Sequence, residues 1–190
     1  MRLFVAINLP EAERTRLHHA AADLRRSALP VRWVARDALH LTLAFLGEVA
    51  EPRLDTIRSA LERVGAERTA FEVVVGGLGA FPSAKRPRVV WVGIEAAPEL
   101  LALQRDVEAA LAPLGFEPEA RPFSPHLTLG RARRDARPGD FGAFERLAQA
   151  MRYGATVPVR SVDLMQSHLS SAGARYERIA RAPLVVSSRP

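Results

Sequence analysis

The chain has 190 residues, enough for one domain or for two small coupled lobes with a buried core. Hydrophobic residues make up 48% and charged residues 25%, as in an ordinary globular protein, and no apolar run approaches the length of a membrane span. The absence of cysteine excludes disulfides, thiolate zinc sites and a cysteine nucleophile. The formal charge is +6, and nearly all of the basic residues are arginine. Binding of an anionic partner and an arginine-rich genome composition explain this arginine content equally well. The first apolar run is followed at once by charges and does not fit a signal peptide, so we expect a cytoplasmic protein.

Strand and helix patterns alternate along the chain. In chain order they predict a strand at 2–8, a helix over 11–26 opened by Pro10, a strand at 39–47, a helix over 53–67 after Pro52, strands at 71–77 and 88–94, a helix over 99–115 after Pro98, a strand at 126–132, a helix over 141–151 and a strand at 174–182. Most neighbouring strands are joined by short turns, which favours antiparallel sheets in an α+β fold over a doubly wound parallel sheet. No Ser-, Gly- or Pro-rich linker divides the chain, so we expect residues 1–190 to form a single two-lobed domain.

The four residues HLTL occur twice, at 40–43 and at 126–129. Alternate residues of a strand share a face, so His40 projects together with Thr42, and His126 together with Thr128. The leucines between them face the core, and the same alternation turns Phe45 toward the leucines. The repeat predicts two pseudo-equivalent lobes, each presenting one such strand to a common groove.

Two imidazoles and two hydroxyls in one groove suit displacement at phosphorus. An imidazole with a pKa of about 6.5 can give or take a proton near neutral pH. Displacement needs a base for the attacking oxygen and an acid for the leaving oxygen on opposite sides, and threonine hydroxyls can hold the non-bridging oxygens. This set requires no metal. A zinc site on His40 and His126 is the alternative, but it needs a third ligand, and the sequence offers no residue for it at motif spacing.

These motifs and their flanks resemble a known family. The paired H-x-T-x motifs are similar to those of the two-histidine (2H) phosphoesterase superfamily. The segments FVAINLP, WVARDALHLTLAFLG, RVVWVGI, RPFSPHLTLGR and SHLSSAGARYERI resemble its bacterial RNA 2′,3′-cyclic phosphodiesterase branch, also called 2′-5′ RNA ligase. The resemblance covers nearly the whole chain. It implies a bilobal, pseudo-symmetric α+β fold, with two mainly antiparallel sheets flanked by helices around a central groove.

The resemblance also implies roles for individual residues. It makes His40 the general acid and His126 the general base, with Thr42 and Thr128 completing the catalytic set. The residues themselves leave the reverse assignment open, because the two motifs are nearly identical. Arg131 matches the arginine of H-x-T-x-x-R and is expected to contact the phosphate; a solvated surface arginine is the alternative. Strict alternation puts Arg131 on the face opposite His126, so we expect either a twist or bulge after Gly130 or a side chain that reaches round the strand edge.

Aromatic residues near the motifs are candidates for stacking on a base. Phe45 stands as far after the first histidine as Arg131 stands after the second, and it could contact the nucleoside on the side of the departing O3′. Phe123 and Trp33 also flank the motifs. Core packing is the alternative explanation for all three.

The sequence therefore predicts a monomeric enzyme that opens a 2′,3′-cyclic phosphate at an RNA end and leaves a 2′-phosphate. It is expected to need neither metal nor ATP, and to join a 5′-hydroxyl RNA through a 2′-5′ bond when the reaction runs with that nucleophile. Lys85, the only lysine, lies in a basic turn, so no evident residue could form the lysyl-adenylate of an ATP-driven ligase. The alternatives are a phosphodiesterase for another cyclic or 2′-5′-linked nucleotide, and a non-catalytic RNA-binding module.

Overall fold

One curled antiparallel sheet forms the centre of the fold in the computed structural model, which describes residues 1–170 and 173–186. Its strands are β1 (Arg2–Asn8), β2 (Val31–Trp33), β3 (His40–Glu48), β4 (Phe71–Phe81), β5 (Val89–Ile94), β6 (His126–Ala132), β7 (Gly154–Val159), β8 (Ser161–Ser170) and β9 (Gly173–Pro183). The helices are α1 (Glu11–Ala20), α2 (Ala22–Arg26), α3 (Leu54–Glu67), α4 (Pro98–Leu111) and α5 (Phe144–Ala150). The strand order is β7-β4-β5-β6-β3-β1-β8-β9, and β2 pairs with β6.

The sheet consists of two halves, β7-β4-β5-β6 with β2 added at β6, and β3-β1-β8-β9. The innermost strand of each half carries one HLTL motif. These two strands, β3 and β6, are paired antiparallel through a single residue pair, Leu41 with Leu127. The α+β class, the antiparallel pairing and the two-lobed arrangement predicted from the sequence are therefore confirmed. The two predicted sheets are joined at this pair into one continuous sheet.

The helices cover one face of the sheet, which we call the helix-covered face. α3 packs on β8 and β9, α4 packs on α3 and β3, and α5 packs on α2 and β4. The apolar residues of α3 recur at helical spacing, and so do those of α4, which explains why each helix buries one side. These buried residues are Ile57, Ala60, Leu61 and Val64 in α3, and Leu100, Leu103, Val107 and Leu111 in α4.

The opposite face of the sheet, the open face, carries the histidines and threonines of both motifs. Most buried apolar side chains belong to one core on the helix-covered face, which includes Leu41 and Leu127. A separate small cluster lies on the open face and consists of Phe4, Ala6 and Met165 with Tyr176 packed against it. In the described part of the chain, no helix is long and apolar enough to cross a membrane.

Several element boundaries differ from those predicted. The first helix is broken at Ala21 into α1 and α2, and the third ends at Leu111 before a 3-10 turn that Gly115 closes at a φ of 81°. Strands β2, β7 and β8 were not predicted. β2 has only three residues, β7 contains Pro158, and the buried run of β8 includes the carboxylate of Asp163. Two residues of the SHLSSAGARYERI segment, Ser171 and Ala172, lie outside the described residues.

Candidate active site

The pairing of β3 with β6 brings the two motifs together. Continuing the Leu41–Leu127 register by one residue in each direction places His40 beside Thr128, and Thr42 beside His126. Direct neighbours across an antiparallel pair have Cβ atoms about 4.5–5.5 Å apart, and diagonal neighbours about 7–8 Å. The histidines are therefore diagonal to each other, and each lies next to the threonine of the other motif. This arrangement has approximate two-fold symmetry about the leucine pair.

The two imidazoles are held in the same way. Nδ1 of His40 lies 2.8 Å from the carbonyl oxygen of Ala38, and Nδ1 of His126 lies 2.7 Å from the carbonyl oxygen of Ser124. Each partner is the residue two positions earlier in the chain. Because a carbonyl oxygen only accepts, Nδ1 carries the hydrogen in both rings, and Nε2 is left to exchange a proton with a substrate.

Aromatic rings flank both histidines. The ring of His40 lies 4.8 Å from that of Phe4 and 4.9 Å from that of Tyr176, measured between centroids. The ring of His126 lies 5.1 Å from Phe81 and 6.4 Å from Trp91. These aromatic rings pack against each imidazole and restrict its orientation.

Burial lowers the pKa of His40 from its usual 6.5 to about 4. The hydrogen bond to the Ala38 carbonyl acts in the opposite direction, and the charges of Arg131 and His126 add to the lowering. His40 is therefore neutral at pH 7 in the free protein. An anion between the two motifs would offset the Arg131 charge and favour the protonated form of His40.

A bulge in β6 brings Arg131 to the face that His126 occupies. Opposite β5, Trp91 pairs with Thr128 but Val90 pairs with Gly130, so Leu129 is the extra residue. The alternation of side chains between the two faces shifts by one residue here. After Thr128, the next side chain of β6 on the open face is therefore that of Arg131. The sequence analysis expected a twist or bulge just after Gly130, whereas the bulge lies just before it, at Leu129. The packing of Gly130 is tight, because a Cβ there would lie 2.5 Å from a methyl carbon of Val31.

A second bulge places Phe45 on the open face as well. β1 pairs Phe4 with Phe45 and Val5 with Ala44, and the register shifts on both sides of these two pairs. The ring of Phe45 is 68% exposed and lies 6.3 Å from that of Phe4. Strict alternation put Phe45 on the side of the leucines, which is wrong because of the bulge. Phe123 and Trp33 both pack against the main core, as the alternative explanation proposed.

Sequence reasoning missed the four aromatic residues that flank the histidines, namely Phe4, Phe81, Trp91 and Tyr176. The alternation of β1 and β5 would have placed Phe4 and Trp91 on the open face. Tyr176 lies within the SHLSSAGARYERI segment that carries part of the family resemblance. Phe81 had no signal, because the predicted strand ended at residue 77 while β4 continues to Phe81.

Among the described residues, the polar side chains of the site do not belong to a cluster that could bind a metal ion. Within residues 1–170 and 173–186, no group of three or more His, Cys, Asp or Glu side chains is gathered around one point.

Comparison with known proteins identifies the family of this chain. The family model described as the 2′-5′ RNA ligase superfamily matches residues 10–170. The chain belongs to this superfamily. A curated relative, the RNA 2′,3′-cyclic phosphodiesterase of Aeropyrum pernix, is 36% identical over 92% of this chain and 98% of its own length. The family resemblance seen in the sequence is confirmed.

Several solved structures share the fold. The crystal structure of TT0787 of Thermus thermophilus is similar with a TM-score of 0.81 and 29% identity, covering 97% of this chain and 98% of that one. The crystal structure of E. coli LigT complexed with 3′-AMP has a TM-score of 0.73 and 30% identity, covering 96% of this chain and 97% of that one.

Proposed function

We propose that this protein hydrolyses 2′,3′-cyclic phosphate ends of RNA to 2′-phosphomonoesters by paired histidine catalysis. The observation that carries the proposal is the two-fold arrangement of His40, Thr42, His126 and Thr128, with both Nδ1 atoms bonded to backbone carbonyls. The names of superfamily members such as the A. pernix phosphodiesterase, and the 3′-AMP complex of E. coli LigT, support the same substrate class.

In this mechanism His126 is the general base. Its Nε2 takes a proton from water, and the water oxygen attacks phosphorus in line with the bond to O3′. The diagonal separation of the histidines, about 7–8 Å between Cβ atoms in a regular pair, leaves room for a phosphate with attacking and leaving oxygens on opposite sides.

His40 is the general acid that protonates O3′ as the P–O3′ bond breaks. The balance is one water consumed, one 3′-hydroxyl released and the phosphate retained on O2′. With a pKa of about 4 in the free protein, about one His40 in a thousand is protonated at pH 7. The acid role therefore depends on the bound phosphate anion, whose negative charge favours the imidazolium form of His40 and so opposes the lowering of its pKa by burial and by the nearby positive charges.

Thr42, Thr128 and Arg131 hold the non-bridging phosphate oxygens. The hydroxyls and the guanidinium donate hydrogen bonds that strengthen as negative charge builds up on these oxygens in the transition state. Phe45, exposed on the strand that carries His40 and beyond Thr42, would contact the nucleoside that carries O3′. With a 5′-hydroxyl RNA in place of water, the same groups would form a 2′-5′ bond.

Hydrolysis of adenosine 2′,3′-cyclic phosphate tests the proposal directly. The expected product is 2′-AMP, separated from 3′-AMP by chromatography against both standards. A His19→Ala variant, altered at an exposed position of α1, serves as the matched control for His126→Ala and should retain activity. A 3′-AMP product would reverse the orientation of the substrate, and no turnover of either this compound or a cyclic-phosphate RNA would refute the function.

The assignment of acid and base has its own test. A substrate whose O3′ is replaced by a better leaving group needs no general acid, so it should restore more activity to His40→Ala than to His126→Ala. Greater restoration of His126→Ala would exchange the two roles.

The proposal includes independence from metal and ATP, because two histidines, two hydroxyls and one guanidinium supply proton transfer and charge stabilisation. Activity should persist in excess EDTA without nucleoside triphosphate, and restoration by a divalent ion after loss in EDTA would contradict this part.

We also propose that the enzyme acts as a cytoplasmic monomer, since β3 and β6 of one chain form the whole constellation. Light scattering coupled to gel filtration measures the mass that tests the monomer.

Among alternatives, another cyclic or 2′-5′-linked nucleotide would use the same histidines. Relative kcat/KM values for 2′,3′-cyclic, 3′,5′-cyclic and 2′-5′-linked substrates decide between them. An RNA-binding module without catalysis would bind cyclic-phosphate RNA with equal affinity before and after replacement of both histidines, and would release no product.

A further inference from the structure

A second arginine stands directly opposite Arg131. The short strand β2 pairs with the end of β6, and its register places Arg32 beside Arg131. Residues directly opposite each other in an antiparallel pair project from the same face, with Cβ atoms about 4.5–5.5 Å apart. Since the bulge puts Arg131 on the open face, Arg32 projects there too.

The neighbours of Arg32 support this orientation. Val31 is buried in the main core and Trp33 packs against that core, so both project from the helix-covered face. Arg32 lies between them in the strand and is exposed. The guanidinium is therefore free to meet a ligand on the same face as the histidines.

The residues facing each other along the β6 edge form three rungs. Thr42 and His126 form the first, His40 and Thr128 the second, and Arg32 and Arg131 the third. The first two follow from the Leu41–Leu127 register and the third from β2. The arginine rung thus lies beyond His40, on the side of the groove that the proposed mechanism gives to O3′ and its nucleoside.

Two like charges directly opposite each other in a sheet are destabilising. In the part of the chain that the structure describes, the ion pairs within 4 Å include neither Arg32 nor Arg131. Other arginines of the open face differ: Arg178 and Arg181 both lie within 4 Å of the buried carboxylate of Asp163. An anionic ligand would provide the counter-charge that the protein does not place at the third rung.

We infer that Arg32 binds the phosphodiester on the 5′ side of the terminal nucleotide, next to the reacting cyclic phosphate. The inference rests on the proposed function, because it takes its orientation from His40 beside O3′. Arg131 contacts the reacting phosphate, and its charge acts on His40. Arg32, on the same rung, is then available to bind the next phosphate along the RNA. The enzyme therefore distinguishes an RNA end from a free nucleoside cyclic phosphate.

The test compares two substrates that share one terminal nucleoside. One is adenosine 2′,3′-cyclic phosphate, and the other is the dinucleotide ApA with a 2′,3′-cyclic phosphate, which adds the phosphodiester in question. Arg32→Gln removes the charge and retains much of the side-chain length. Arg105→Gln, at an exposed position of α4 on the helix-covered side, is the matched control.

Arg32→Gln should lower kcat/KM for the dinucleotide about tenfold, which is the scale of one hydrogen bond to a charged group. It should lower kcat/KM for the mononucleotide by no more than about twofold. For a longer RNA with the same end, the slope of log kcat/KM against log salt concentration should become shallower by about 0.7, the effect of one lost phosphate contact on a single strand. Arg105→Gln should change neither quantity.

A dinucleotide with a neutral methylphosphonate in place of the phosphodiester identifies the phosphate. The wild type should lose about tenfold on this substrate, and Arg32→Gln should add little further loss, because both changes remove the same contact. Equal losses of Arg32→Gln on mononucleotide and dinucleotide, no loss on the dinucleotide, or full additivity with the methylphosphonate would each overturn the inference. Failure of the wild type to hydrolyse either substrate would instead refute the proposed function.

Discussion

The depressed pKa of His40 has a consequence for stability that can be measured without substrate. In the unfolded chain His40 has a pKa of about 6.5 and binds a proton as the pH falls through that value, whereas folded His40 stays neutral down to about pH 4. The unfolded state therefore binds more protons between these values. The stability associated with neutral His40 is fully present above pH 6.5 and is lost as the pH falls toward 4.

The loss is large enough to detect. With these two pKa values, lowering the pH from 7 to 5 should remove about 2 kcal/mol of unfolding free energy through His40 alone. The His40→Asn variant lacks the titrating group and should lose about 2 kcal/mol less over the same range. Urea titrations of both proteins at pH 7 and pH 5, under identical salt, measure the difference.

The comparison between the two proteins removes the contributions of all other titrating groups, because they are common to both. Parallel pH dependences for the wild type and His40→Asn would refute the reasoning, since they would mean that folded His40 titrates near its ordinary pKa. The dependence of the acid role on a bound anion would then have no basis.

Further predictions concern the catalytic set. His40→Ala and His126→Ala should each abolish most turnover, and the double variant should be little worse than either, because residues acting as one unit are not additive; near-normal kcat in one single variant would contradict this. Thr42→Val and Thr128→Val keep the side-chain shape and should each lower kcat by about 100-fold through lost oxyanion bonding, with unchanged circular dichroism. Arg131→Gln should raise the pKa of His40 by removing a positive charge, as an NMR titration of the imidazole would report; an unchanged pKa would show that Arg131 lies too far from His40 to act on it.

Much of the architecture of the site followed from period-two alternation and the repeated tetrapeptide. Together they predicted that His40 shares a face with Thr42 and His126 with Thr128, on leucine-backed strands in opposite halves of the molecule. The register between β3 and β6 agrees with this prediction. Such a prediction depends only on local strand geometry, which is why a short repeat was sufficient.

The features of the site that strand alternation could not predict depend on the register between strands and on contacts between residues distant in the sequence. The bulges that bring Phe45 and Arg131 to the open face are visible only when each strand is aligned with its neighbour. The same is true of Arg32, because a three-residue strand has too little pattern to be recognised and acquires its place only from β6. Tyr176 reaches His40 from β9 at the far edge of its half-sheet, a contact no local pattern encodes.

The single leucine pair between β3 and β6 also determines how the groove could deform. Leu41 and Leu127 immediately follow the two histidines, so the reacting groups lie close to the line about which one half-sheet would turn against the other. A point near a rotation axis travels little for a given angle, while a point far from it travels in proportion to its radius. Rotation about this line would thus displace the outermost strands, β7 and β9, the most, with little change in the spacing of the histidines. Substrates of different bulk could be admitted in this way without loss of the in-line geometry at phosphorus.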